Sequence, residues 1–243
     1  MTVVDSDSNV AALLARMPLF EALGQRSLAR VARTSLVIDA APATVLFRRG
    51  DCSDGLYTIV TGRVKLAVPA ADAGEKVLVL LGAGATFGEP ALFLGERYLL
   101  DAQTLLATKL VHVPSKALRE CVRRDASFAE DIIKALSRRV RALIGHIERA
   151  ALHSGTQRVV DFLIEQLPGT TPNGPVTFVL PAKKRIIASQ LDLTHEHFSR
   201  ILHDLAASRL LVVQGSRVIV PETAKLLAFR EQACLPKHAR VAA

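Results

Sequence analysis

A chain of 243 residues, half of them apolar, is long enough for two modest domains with a real core each, and its composition is not that of a disordered protein. Its formal net charge of +8 favours a polyanionic partner, with nucleic acid the first candidate. Cys52, Cys121 and Cys234 stand far apart with no C-x-x-C pair, which argues against a zinc ribbon or a cysteine-ligated iron–sulfur cluster and for a reducing compartment.

In chain order, the stretch Met1–Asn9 is polar and acidic, and no apolar run is long enough to span a bilayer, so a soluble, cytoplasmic protein without a membrane partner is expected. Two helical patterns follow, Ala11–Met17 and Ser27–Thr34, broken at Pro18–Leu19–Phe20. Short apolar or β-branched runs then predict strands at Thr44–Phe47, Leu56–Val60, Val64–Val68, Lys76–Leu81 and Lys109–Val113. Glycines fall at the cuts between them, where tight antiparallel turns need unusual backbone angles, and the spacing implies a small barrel or roll.

From Phe128 to Leu152 the pattern is one long helix, with Ile133, Leu136, Val140, Leu143, Ile147 and Ala150 recurring at alternating steps of three and four. So narrow a repeat predicts a two-chain coiled-coil seam, with an ordinary core helix as the alternative. Ser154–Gly155–Thr156–Gln157 has the form of a capping box and predicts that a new helix starts there, with Val159, Val160, Phe162, Leu163 and Leu167 on its apolar face. A turn over Pro168–Pro175 and a strand over Val176–Leu180 come next.

Between Lys183 and Leu211 the pattern is helix, short turn, helix: Ile186, Ile187 and Leu191 line the first, and Phe198, Ile201, Leu202 and Leu205 the second. Asp192–Leu193 makes the turn and Thr194 caps the second helix, whose outward face presents His195, Glu196, Ser199, Arg200 and His203. Leu211–Val213 and Val218–Val220 around Gln214–Arg217 read as a hairpin wing. The domains expected are 1–127, a β-rich sensor; 128–153, the dimerisation helix; and 154–243, a winged helix-turn-helix.

Leu46–Asp51, Leu56–Val64 and Gly84–Glu89 resemble the cyclic-nucleotide-binding β-roll of the CRP/FNR regulators, and the resemblance runs from about Val10 to Leu227. It implies an α+β fold: a cyclic-nucleotide-binding-like β-roll, a long dimerisation helix and a C-terminal winged helix-turn-helix. In nucleotide-binding members a Gly-Glu pair is followed by an Arg-Ser pair that holds the cyclic phosphate. Gly88 and Glu89 are kept here, but Tyr98 and Leu99 fall on the Arg-Ser positions, with Arg97 one residue away, and Leu143–Ile144 replaces the polar pair on the long helix. An anion against that lining is costly, so an apolar effector is expected rather than cyclic AMP. Tyr98–Gln103 resembles nitric-oxide-responsive denitrification regulators, some of which bind haem, and His146, His112 and His153 are the candidate axial ligands.

Glu196–Arg200 resembles the E-x-x-S-R reading motif of the FNR-like branch, and the chemistry agrees: arginine grips guanine O6 and N7 with two bonds and glutamate accepts from cytosine N4. A plain surface pair between Glu196 and Arg200 is the alternative. His195, Glu196, Ser199 and Arg200 are the expected base readers. Lys183, Lys184, Arg185, Thr194 and Arg217 are expected at phosphate. The resemblance implies a homodimeric, effector-responsive transcription regulator, with RNA polymerase as a further partner, binding an inverted repeat like TTGAT–N4–ATCAA. The rival readings are a cyclic-nucleotide-responsive regulator and a β-roll module acting on a protein partner. No nucleophile–base constellation suggests an enzyme.

Overall fold

The computed structural model describes residues 2–4, 7–21, 23–70, 74–167 and 174–234, so most of the turn expected over Pro168–Pro175 lies outside it. The elements in order are β1 (Thr2–Val4), α1 (Asp7–Ala15), α2 (Gln25–Ala32), β2 (Leu36–Ala40), β3 (Val45–Phe47), β4 (Gly55–Thr61), β5 (Val64–Pro69), β6 (Glu75–Leu81) and β7 (Thr86–Phe87). Then come α3 (Glu89–Leu94), β8 (Asp101–Thr104), β9 (Thr108–Pro114), α4 (Ser115–Arg124), α5 (Ala126–Leu152) and α6 (Gly155–Glu165). The last are β10 (Val176–Val179), α7 (Lys184–Gln190), α8 (His195–Ala207), β11 (Val212–Gln214), β12 (Arg217–Val220) and α9 (Thr223–Cys234). Two compact units result, Met1–Arg141 and Ala142–Ala243, and the division falls inside α5.

In the first unit two antiparallel sheets, ordered β1-β2-β9-β4-β7 and β3-β8-β5-β6, form the roll. Successive residues of a strand point to opposite faces, and here both faces are used. Val37, Leu56, Val111 and Val113 bury into a core shared with α1, α2, α4 and the start of α5. Ile38, Tyr57, Ile59 and Leu110 bury instead among residues of the second sheet, Phe47, Val64, Leu66 and Ala102. That double burial is why these strands read as nearly continuous apolar runs. Between β4 and β5, Gly62 has φ of 96°, and a Cβ there would stand 2.6 Å from the Thr108 backbone, so only glycine fits.

Along α5, Phe128 and Ile132 bury into the helix-side core and Ala135 and Leu136 pack against it, whereas Ile133, Val140, Leu143 and Ile147 stay exposed. Of the expected seam positions, Leu136 is half-buried and packs against its own domain's core: at 3.6 residues per turn it shares a face with Phe128 and Ile132. Ala150 is half-buried.

The second unit pairs β10, β12 and β11 in one antiparallel sheet, so the wing hairpin has a third strand. Phe198, Ile201, Leu202 and Leu205 of α8 bury with Ile187 of α7, Val159, Val160 and Leu163 of α6, and Leu226 of α9. The capping box at Ser154 is complete: its hydroxyl accepts from the Gln157 amide, and the Gln157 side chain accepts from the Ser154 amide. Beside it, Asp161, nearly buried, holds His153 Nδ1 at 2.8 Å and accepts from Arg230 Nε at 2.6 Å.

Candidate nucleic-acid interface and effector pocket

Thr194 starts α8 as expected, its Oγ1 accepting from the His197 amide at 3.2 Å. The preceding turn needs a left-handed residue, and Asp192 supplies it with φ of 56°, a conformation that aspartate tolerates. With the apolar positions committed inward, His195, Glu196, Arg200 and His203 are exposed and Ser199 is half-buried. Hydrogen bonds from its own amide and from Thr194, with His195 adding a weaker Coulombic pull, hold the Glu196 carboxyl below its usual range. Among the described residues no ion pair joins Glu196 to Arg200, so both charges point to solvent. Lys183, Lys184 and Arg185 cluster at the start of α7, Lys183 and Arg185 exposed, and Arg217 is exposed on the wing.

In the roll, β7 runs into α3 through Gly88, whose φ of 101° and close approach to the Gly55 carbonyl oxygen, 3.0 Å from a would-be Cβ, exclude a side chain. Glu89 follows, 5% exposed, with a buried Oε2 that has no hydrogen-bond partner among the described residues. Tyr98 lies flat on Phe47 with ring centroids 3.6 Å apart, and its hydroxyl donates toward Asp54 Oδ1 at 3.1 Å and the Gly55 carbonyl at 3.2 Å. Burial pushes the Tyr98 phenol up to about 12, so it stays neutral.

Tyr98 and Leu99 line an apolar cavity of about 150 Å³ together with Phe47, Leu66, Gly88, Pro90, Ala91, Leu100 and Arg139. Arg97 departs from the expected grouping. It pairs with Cys52 in an isolated bridge and turns outward, donating from Nη1 to the Gly50 carbonyl at 2.8 Å, in an open cleft with Arg49 and Arg119 that shares Ala91, Tyr98 and Leu99 with the cavity. The reason is that neighbouring residues of extended chain face opposite sides, so a buried Tyr98 sends Arg97 out. Leu143 and Ile144 are exposed on the part of α5 that belongs to the second unit. Sequence reasoning missed Arg139, a half-buried residue of α5 beside the exposed stripe, since nothing in one sequence links it to Phe47 or Leu100.

The haem expectation does not fit these residues. A porphyrin needs more room than about 150 Å³, since drug-sized ligands already occupy roughly 300 Å³ or more. None of the three candidate histidines lines the cavity. His112 sits 3.2 Å from Asp54 Oδ1, His153 is held by Asp161, and His146 borders a narrow crevice with Arg149 and Glu165.

Comparison with known proteins joins the two sites. Residues 37–125 match the family described as Cyclic nucleotide-binding domain, and residues 157–229 the family described as Crp-like helix-turn-helix domain. The chain is 24% identical over 216 residues to the CRP-like cAMP-activated global transcriptional regulator of Mycobacterium tuberculosis, covering 88% of this chain and 96% of that protein. It is 27% identical over 183 residues to the Cyclic AMP receptor protein of Thermus thermophilus, covering 74% and 82%. The structure of FixK2 from Bradyrhizobium japonicum superposes with a TM-score of 0.71 at 22% identity, over 80% of this chain and 96% of that one. With a roll and a Crp-like helix-turn-helix each matched in place, the chain carries the two domains of the CRP/FNR-type transcription regulators it is similar to.

Proposed function

We propose that the protein is a homodimeric regulator that reads an inverted repeat close to TTGAT–N4–ATCAA and answers to a small, largely apolar effector rather than to cyclic AMP. The observation that carries the reading is the outward face of α8, where Glu196 and Arg200 stand exposed on one helix side while four apolar residues anchor the other. Arg200 offers two parallel bonds to a guanine and Glu196 an acceptor to cytosine N4, with His195 and Ser199 flanking them. Lys183, Lys184, Arg185, Thr194 and Arg217 take phosphate, which fixes register without reading sequence. Two-fold symmetry then requires an inverted repeat with half-site centres about one helical turn, ~10 base pairs, apart. Binding-site selection from random duplexes is the test: a G·C pair in each half-site is expected, and a selected pool without one would move readout to another face.

Dimerisation through 128–153 is supported by the exposed apolar stripe of Ile133, Val140, Leu143 and Ile147, a surface that a lone soluble chain rarely leaves in water. The double variant Val140→Glu, Leu143→Glu should sediment as a monomer. A dimer that survives it places the seam elsewhere.

The effector reading rests on the cavity wall, which carries Tyr98 and Leu99 where nucleotide binders carry the phosphate-holding pair. By shifting a pre-existing equilibrium, an occupant of that cavity would change affinity for DNA in the cytoplasm and so contact with RNA polymerase. Response to cyclic AMP remains the rival, favoured by the names of the Mycobacterium and Thermus relatives. Calorimetric titration separates the two: micromolar cyclic AMP binding with tighter operator binding would select the rival.

A further inference from the structure

The roll cavity is apolar on nearly every side, yet one wall carries a guanidinium. Phe47, Leu66, Pro90, Ala91, Tyr98 and Leu100 supply the apolar surface, and Arg139 reaches in from α5. Among the described residues that guanidinium makes one hydrogen bond, from Nη1 to the Thr86 carbonyl at 3.1 Å. A guanidinium has five N–H donors, and among the described residues Arg139 has no carboxylate within ion-pair distance. Glu89, whose neighbours Gly88 and Pro90 line the cavity, is not part of its wall.

Resting on the reading of this cavity as the effector site, we propose that its ligand is a small monocarboxylate with a compact apolar body: one aromatic ring or a short branched chain, its carboxylate held by Arg139. Size sets the body. A dry apolar cavity of roughly this volume, about 150 Å³, accepts a benzene ring. Charge sets the head, because the planar fork of arginine matches a carboxylate with two parallel bonds. A phosphate ester would bring a second negative charge and more acceptors than one arginine can satisfy against an apolar wall. A neutral hydrocarbon would leave the guanidinium without a counter-charge, and an amine would be repelled by it.

The test is calorimetric titration of the full-length protein with benzoate, phenylacetate and isovalerate, each beside its alcohol: benzyl alcohol, phenylethanol and isoamyl alcohol. At least one acid is expected to bind roughly tenfold or more tighter than its alcohol, the range of one charge-assisted bond pair. In Arg139→Gln that preference should collapse while alcohol binding persists, and Arg139→Lys should restore part of it. Ala91→Phe, which fills the cavity, should remove both. Acid and alcohol binding alike, or acid binding unchanged in Arg139→Gln, overturns the carboxylate assignment but leaves an apolar effector site standing. If no probe binds and Ala91→Phe leaves operator affinity as it was, the cavity itself is not the effector site.

Discussion

Helix α8 and the segment 97–100 carry the proposed DNA-reading and effector-facing side chains, but they reach that arrangement differently. In α8 the four buried positions recur at helical spacing, so the outward set His195, Glu196 and Arg200 follows from the element's own period. Segment 97–100 has no such internal rule. Its fixed point is Tyr98, stacked on Phe47 fifty-one residues earlier and hydrogen-bonded to Asp54 and Gly55, with Arg97 turned outward beside it. A site on a helix is set locally, whereas a site on extended chain waits for its sheet.

The largest expected effect removes the local anchor. Phe198→Ala empties a fully buried position and should destabilise the second unit by about 3–5 kcal/mol in denaturant unfolding, with the roll's transition unmoved. Next, Arg200→Ala should weaken operator binding by about 1–3 kcal/mol and relax preference at one G·C pair, with no loss of stability, because the side chain is exposed. A stability loss comparable to that of Phe198→Ala would mean that the two faces of α8 are not independent. Thr194→Ala removes the cap bond to His197 and should lower stability by about 1 kcal/mol.

Tyr98→Phe keeps the ring stack and deletes only the hydroxyl shared by Asp54 and Gly55, for a loss of roughly 0.5–1.5 kcal/mol. It also has a pH signature. The folded phenol titrates near 12 against an ordinary value of 10.0, so the folded state holds the proton more tightly than the unfolded one. Stability from that group is complete below the ordinary value and is lost as pH rises through the folded one. Unfolding measured between those limits should therefore fall less steeply in Tyr98→Phe than in the parent.

Much of this was legible in the sequence where one face of an element carries the pattern. Strands β3 to β6 and β9, helices α5 to α8, the Ser154 box and the Thr194 cap all lie within a residue or two of their expected places. The apolar β2 escaped, and most of the rest that escaped was sparse or polar. In α4 only Leu118 and Cys121 are buried among charged neighbours, and in β8 only Ala102 and Thr104, so neither shows an apolar run. The six-residue α3 is too short for a period to emerge, and α9 follows the wing with no expected cap. The outward face of α8 could be named residue by residue, but the cavity could not. Its wall is drawn from β3, β5, α3, the 97–100 segment and α5, and only the folded sheets bring Arg139 to Leu66.

Arg158, near the start of α6, donates to the Ala150 and His153 carbonyls at 3.2 and 3.5 Å and to the Asp192 carbonyl at 3.3 Å. One side chain thus stitches the last turn of α5, the junction after it and the turn before α8. Gly155 lies so close beneath that a Cβ would come within 3.0 Å of Leu193 and 3.3 Å of His197. Three hydrogen bonds and a glycine without room for a side chain tie the last turn of α5 to the start of α8, so a change at that turn is passed to the helix through direct contacts.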